Sequence, residues 1–288
     1  MPSAEILVPV HPALDDVDTL HREHPTVRLV PIENLPFSTK PTDPGLRHIV
    51  YDHRRSAGLR AVRGEIVAMT EDHAIPPPDW CKNIIAIHAS SSDAAIGGAI
   101  DPACSTYLSW AAYFGEFSRY QNPVPEGPAE YVSDVNVSYK RRALEKIRKI
   151  WQESYHETAV HPGLVEAGEK VSLSRVPYIT HDRGKLSLAT MCRERVAWAR
   201  IFAGRRARAV SPTARFVMAV LTPAIPALFL LRRWQIVLRT RRSGGRLLQV
   251  TPILLILYSF WAYGEFLGYL TARATREPLP NHGLTATT

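Results

Sequence analysis

The run from Val250 to Leu270 constrains the fold of this chain most. It is apolar throughout, broken only by Glu265 and a few small or hydroxyl residues. A second apolar run, Phe216 to Leu231, precedes it and ends at Arg232-Arg233. Runs of this kind are either membrane elements or the buried helices of a core. Val250–Leu270 has the length to span a bilayer, whereas Phe216–Leu231 is short and carries Pro223 and Pro226. Trp261, Tyr263 and Tyr269 suit a membrane interface. Glu265 is costly to bury in such a run and requires a partner.

Arginines flank both runs. Arg205, Arg206 and Arg208 precede the first; Arg232, Arg233, Arg239, Arg241, Arg242 and Arg246 lie between the two. Arginine-rich flanks prefer the cytoplasmic side, and a single crossing by the first run would place one group outside. A kinked, re-entrant or interfacial first segment resolves the conflict, and the two prolines make the bend plausible.

The remainder has the composition of a folded body. The chain has 288 residues, 45% of them apolar, and a formal charge of +8. Its basic residues crowd beside the apolar runs, which favours an anionic membrane surface over nucleic acid. Cys81, Cys104 and Cys192 are odd in number and far apart, which argues against a disulfide framework or a zinc site. No basic stretch followed by an apolar core opens the chain, so no signal peptide is expected.

Short apolar runs at Ile6–Val10, Val27–Pro31, Ile66–Met69 and Ile84–His88 read as buried strands. Asp15–Glu23 and Arg55–Arg63 read as helices between them. Alternation of this kind predicts a layered α/β fold with a largely parallel sheet. Further on, Tyr107–Tyr120 and Tyr139–Glu157 read as helices, Val171–Ile179 as a strand, and Met191–Arg208 as a basic amphipathic helix.

One strand ends in chemistry. Ile66–Met69 runs into Thr70-Glu71-Asp72-His73. Acids at the C-terminal end of a strand in an open α/β sheet sit where ligands bind. Carboxylates hold Mg²⁺ or Mn²⁺ against phosphates, and His suits Mn²⁺. A solvated acid-rich turn is the alternative.

The surrounding stretch, "HRRSAGLRAVRGEIVAMTEDHAIPPPDW", resembles the glycosyltransferase family 2 signature. Arg55 and Gly58 match its helix start, with Ser56 where Asn is usual, and Gly64 and Glu65 match its Gly-Glu. Glu71 and His73 stand at the two positions of its Asp-x-Asp motif with Asp72 between, and Pro78, Asp79 and Trp80 match its proline–tryptophan turn. Gly97 and Gly98 in "AIGGAI" are similar to the family's Gly-Gly turn, and "WAAYFGEFSRY" to a stretch of many bacterial members. "NVSYKRRAL" is similar to its Asn-then-basic segment. His156 and Glu157, counted back from Gly168, stand at its acid pair. "FWAYGEFLGYLTA" is similar to the ending of membrane-attached bacterial members.

The resemblance implies a GT-A-like, mostly parallel sheet flanked by helices and followed by membrane-associated helices. It implies transfer of a sugar, with inversion, from a nucleotide-diphosphate sugar to a lipid-linked or polysaccharide acceptor, on the cytoplasmic side of the cytoplasmic membrane. By it, Mn²⁺ or Mg²⁺ sits at Glu71, Asp72 and His73. Arg55, Gly58, Gly97 and Gly98 contact the donor, and His181 contacts the diphosphate or metal. Glu157 is the base that takes the acceptor's proton, His156 stands beside it, and Glu116 is held in reserve. Glu157 also reads as an exposed helix carboxylate, and His181 as a plain surface or core histidine.

The chain departs from the family at its start. Ile6–Val10 aligns with the family's second strand, so its first β-α unit is absent. Pro9-Val10-His11 has no acid where the family grips the nucleotide; Asp15 and Asp16 follow a few residues on. A non-catalytic membrane partner is therefore the alternative to an enzyme. The expected organisation is a transferase domain over 1–190, a basic linker helix over 191–213, two apolar segments over 214–272, and a disordered tail over 273–288.

Overall fold

Two strand systems face a common cleft. The computed structural model describes residues 4–272 apart from 33, 34, 36, 38, 40, 43 and 209; the expected tail lies outside them. Strand β1 (Leu7–Val10), helix α1 (Val17–Glu23) and strand β2 (Arg28–Pro31) form a β-α-β unit. The two strands pair in parallel as their own sheet, Leu7 opposite Arg28. Helix α2 (Pro44–Ala61) packs on both. It begins well before Arg55, so Arg55 stands inside a helix and not at its start.

Next come β3 (Ile66–Met69), β4 (Ala74–Ile75), α3 (Trp80–Ser90), β5 (Ala95–Pro102) and α4 (Tyr107–Glu116). A 3-10 turn over Ser118–Tyr120 follows, then β6 (Gly127–Pro128), β7 (Val137–Lys140), α5 (Arg141–Lys146), α6 (Arg148–Trp151), α7 (Glu157–Glu166) and β8 (Val171–His181). The main sheet has the order β3-β7-β5-β8-β4, with β6 also on β8. β5 and β8 pair in parallel, and β7 is inserted antiparallel between β3 and β5. β3, β5 and β8 therefore point the same way.

Two expectations are corrected. Ile84–His88 lies in α3, a helix; a short apolar run does not distinguish the two by pattern alone. Tyr139–Glu157 is not one helix. Its first residues finish β7, and two short helices and a loop carry the rest.

Asn136 pins the sheet. Its Nδ2 donates to Ala99 O and Pro177 O, each at 2.8 Å, and its Oδ1 accepts from Trp80 Nε1 at 3.0 Å. Gly97 and Gly98 lie in the middle of β5, buried, and not in a turn. A Cβ on Gly97 would overlap Val132, and one on Gly98 the Pro177 carbonyl and the Asn136 amide. Their smallness allows β8 and the residues before β7 to close on β5.

The C-terminal part is helical: α8 (Leu188–Arg208), α9 (Pro212–Leu221), a 3-10 turn over Thr222–Ala224, α10 (Ile225–Thr240) and α11 (Gly244–Thr271). The expected interruption falls at the prolines. Pro212–Thr240 and Gly244–Thr271 are long and apolar enough to cross a membrane, by length and composition. Glu265 has the partner that its setting requires: Trp261 Nε1 donates to Glu265 Oε1 at 2.6 Å.

Gly98→Ala is expected to destabilise the chain by about 3 kcal/mol, because the methyl group meets backbone in a full core. Urea unfolding followed by circular dichroism measures this; an unchanged midpoint would count against the packing described.

Candidate active site

A cleft of about 2350 Å³ opens between the β1–β2 sheet and the main sheet. Leu7, Val8 and Pro9 line one side, and Ile66 to His73 the other. Single-ligand pockets mostly hold 300–1,000 Å³, so this cleft is wide and open.

The turn after β3 brings the first group of polar side chains. β4 pairs with the end of β8, Ala74 opposite His181, which fixes the Glu71–His73 turn against that strand. Glu71 Oε1 lies 2.7 Å from His181 Nε2. His181 is buried, packs on Phe117 with ring centroids 4.4 Å apart, and does not itself line the cleft. It stands behind Glu71 and orients it. Asp72 and His73 are exposed at the cleft. Among the described residues no three His, Cys, Asp or Glu side chains converge as a metal site. The turn offers an open set of one or two carboxylates. A Mg²⁺-type ion uses such a set when substrate phosphates and water complete its shell.

Beside this turn, Glu116 is enclosed by arginines. Arg183 Nη1 reaches Glu116 Oε1 at 3.0 Å, and Arg195 donates to the same oxygen. Arg183 Nη2 also holds Glu194 at 3.1 Å. Burial pushes the Glu116 carboxyl up, but Arg195 and Arg183 outweigh it and hold it below its ordinary value. Glu116 is thus a fixed counter-charge, poorly suited to accept a proton.

A second group lies where α2, the segment before β7 and the start of α7 meet. Arg55 Nη2 lies 2.5 Å from Asp134 Oδ2, and Arg55 Nη1 3.6 Å from Asp52 Oδ1. His156 Nδ1 lies 2.9 Å from Asp52 Oδ2. Glu157, the first residue of α7, shares a hydrogen bond with Asp134. Burial first, and then Asp134, raise the Glu157 carboxyl well above its ordinary value, against the pull of Arg55. Glu157 is half-buried and lines the cleft. Beneath it, Tyr139 Oη lies 2.6 Å from Tyr155 Oη and 2.9 Å from His161 Nε2.

The cleft thus unites Arg55, Gly58, Glu71, Asp72, His73, His156 and Glu157, and leaves out His181, Gly97 and Gly98. Gly58 faces β1, where a Cβ would stand 3.2 Å from Pro9. Ser56 is buried and donates to Gln152 O at 2.6 Å, a structural bond. Asp15 accepts from Arg54 through both oxygens at 2.8 Å, and Asp16 caps α1. Sequence reasoning missed Asp52, Asp134, Arg183, Glu194 and Arg195. Only Asp52 had a local signal, three residues before Arg55 on one helix face.

No protein-family model matches the chain, and no curated protein matches it. Two solved structures are similar. One is a mannosyltransferase from Pyrobaculum calidifontis in complex with GDP-Man and Mn²⁺, at 16% identity and a TM-score of 0.44, covering 93% of this chain and 76% of that one. The other is a mycobacterial protein, at 14% identity and a TM-score of 0.40, covering 68% of this chain and 62% of that one. Likeness at this distance says nothing of what this chain binds.

The raised Glu157 carboxyl sets a pH dependence. A carboxyl whose folded pKa is raised stabilises the fold fully below its ordinary value of 4.5 and loses that contribution as pH rises through the folded value. Wild-type stability is expected to fall relative to Glu157→Gln as pH rises from 4.5 toward the folded value. The slope is about 1.4 kcal/mol per pH unit while only the folded chain holds the proton. Paired urea titrations at pH 5 and pH 8 test this; parallel behaviour of the two chains would refute it.

Proposed function

We propose that the chain is a membrane-attached glycosyltransferase of the GT-A type, moving a sugar from a nucleoside-diphosphate sugar to a lipid-linked or polysaccharide acceptor. The observation that carries this reading is the meeting, in one cleft, of the Glu71–Asp72–His73 turn with the Glu157–Asp134 pair. One group suits a diphosphate and the other a proton.

In this reading the acceptor hydroxyl attacks the anomeric carbon, and the bond to the diphosphate breaks with its electron pair leaving on the diphosphate. Attack from the opposite face inverts the centre. Glu157, in its ionised form, receives the hydroxyl proton. Arg55 balances the charge of the pair. Glu71, Asp72 and His73 would hold a divalent cation, which supplies neutralising charge for the leaving diphosphate. His181 keeps Glu71 aimed at that position. The far wall of the cleft, with Trp198, Phe202, Arg206 and Trp261, lies on α8 and α11. An apolar wall with an arginine fits a lipid-linked anionic acceptor.

The domain plan that goes with this reading is a transferase body to about residue 190, a basic helix, and two membrane-associated segments, at the cytoplasmic face. One observation favours a second reading, a non-catalytic membrane partner. β1 and β2 pair only with each other, and Asp15 is already engaged by Arg54. The wall expected to grip a nucleotide is thereby weakened.

Calorimetry with uridine and guanosine diphosphates, with and without Mn²⁺, separates the two. Metal-dependent binding, weakened about tenfold or more by Asp72→Asn, is expected of the enzyme. In a transfer assay Glu157→Gln is expected to lower turnover by a factor of about 10² to 10⁴ and to leave donor binding intact. A folded chain that binds no nucleotide would move the conclusion to the second reading.

A further inference from the structure

Helix α11 is 28 residues long, and its first half is committed to the body of the protein. Leu247, Val250 and Leu254 are buried with Ala111, Ala112 and Phe114 of α4. The loop ahead of it is tied down as well. Arg242 Nη1 donates to Asn122 O at 2.7 Å and lies 3.1 Å from Asp101 Oδ1. Gln121 Nε2 donates to Ser243 Oγ at 3.0 Å. On α10, Arg233 reaches Ser118 Oγ at 3.2 Å.

Beyond Tyr258, α11 runs beside α8. Gly264 lets it close on Val196 and Ala199, and Gly268 on Ala203 and Gly204. α8 is itself held at the cleft by Glu194 and Arg195, and it carries Arg200 and Arg206 along this stretch. The part of α11 beyond its packing on α4 is therefore about 13 residues, roughly 20 Å, and it lies along α8. A bilayer core about 30 Å thick asks for about 20 residues.

The exposed apolar surface runs the length of the hairpin. Leu238 is 71% and Leu248 66% exposed, beside the tied loop, Phe216 is 65% exposed near the opposite end, and Leu221 is 61% exposed between them. A layer lying along the helices covers all four. The arginines agree. Arg206 and Arg208 are exposed near the turn between α8 and α9, and Arg239, Arg241 and Arg246 near the loop between α10 and α11. Crossing would drive one group through the hydrocarbon.

We propose that α9, α10 and α11 seat the chain on an anionic lipid surface as an in-plane hairpin. Their apolar face is sunk at the headgroup boundary, the arginines at both ends lie among the headgroups, and neither helix crosses. This rests on the membrane attachment proposed above, but not on catalysis. It also gives the cleft wall at Phe202, Arg206 and Trp261 a place beside the lipid layer.

The test uses the full chain with its three native cysteines changed to Ser and one cysteine added, by Thr213→Cys at one end of the hairpin or Gly245→Cys at the other. The purified protein is added to preformed vesicles of phosphatidylcholine with phosphatidylserine, floated, and treated with a membrane-impermeant maleimide. Both positions are expected to label fully without detergent. Protection of either until detergent is added would show a crossing and overturn the proposal.

Flotation is expected to fall about tenfold or more on pure phosphatidylcholine and with Leu228→Glu plus Leu231→Glu. Failure to float at all, or a dimer that buries the same face in solution, would overturn the lipid partner. Nucleotide binding measured on the same samples reports separately on the transferase reading.

Discussion

Arg55 is the charge on which the candidate site depends. It projects from α2 to Asp134 at 2.5 Å and to Asp52 at 3.6 Å, with Glu157 beyond Asp134. Three acids from three segments would repel one another without it. Removing one member of such an enclosed group leaves a charge without its counter-ion, which costs far more than the pair itself contributes. The arginine thus joins α2, the strand-leading segment before β7 and the N-terminus of α7 by one interaction. It also sets chemistry. Arg55 pulls Glu157 toward ionisation while burial and Asp134 push it away. A general base needs such a balance, neither permanently charged nor permanently protonated.

Across the cleft the balance is of the other kind. Glu116 has two arginines on one carboxyl, and Arg183 is shared with Glu194. The result is a rigid ion network joining the end of α4, the segment after β8 and the first turns of α8. The same network holds α8 to the body, so the C-terminal helices that pack on α8 inherit their orientation from the polar wall of the site.

Local pattern made β1, β2, β3 and β8 legible, because each is a short apolar or alternating run bounded by turn residues. It made α8 and α11 legible through length and the arginine flanks. It failed at Ile84–His88, where "IIAIH" satisfies strand and helix alike, and where the helix start is decided by the chain direction that Pro76 to Pro78 impose. Glu71, Asp72, His73, Arg55 and Glu157 were legible as residue types at motif spacing. Asp134, Arg183 and Arg195 were not. Each sits among ordinary residues and gains its role only when α2, α4 and α7 converge, a property of topology that no window of sequence contains. Gly97 and Gly98 were read, by resemblance, as the family's Gly-Gly turn. Here they serve close packing within a strand, and nothing in the neighbouring letters distinguishes the two.

The two strand systems explain why the cleft is so large. Among the described residues β1 pairs only with β2 and β3 only with β7, and both border the cleft. Along β3, the residues that bond to β7 alternate with residues whose amides and carbonyls point the other way, toward the cleft, as a pleated strand requires. Arg54 Nη1 answers one such carbonyl on the opposite side, donating to Pro9 O at 3.2 Å, and Pro9 has no amide to satisfy. Proline and an arginine therefore blunt the β1 edge as natural sheets blunt exposed edges. The same arginine binds Asp15 with both oxygens, so the device that quiets the edge also fixes the loop after β1. An open cleft between two sheets is stable here because its edges are answered one group at a time by side chains from α2. The helix that supplies Arg54 supplies Arg55 as well, and so the wall and the chemistry of the cleft are set by adjacent residues.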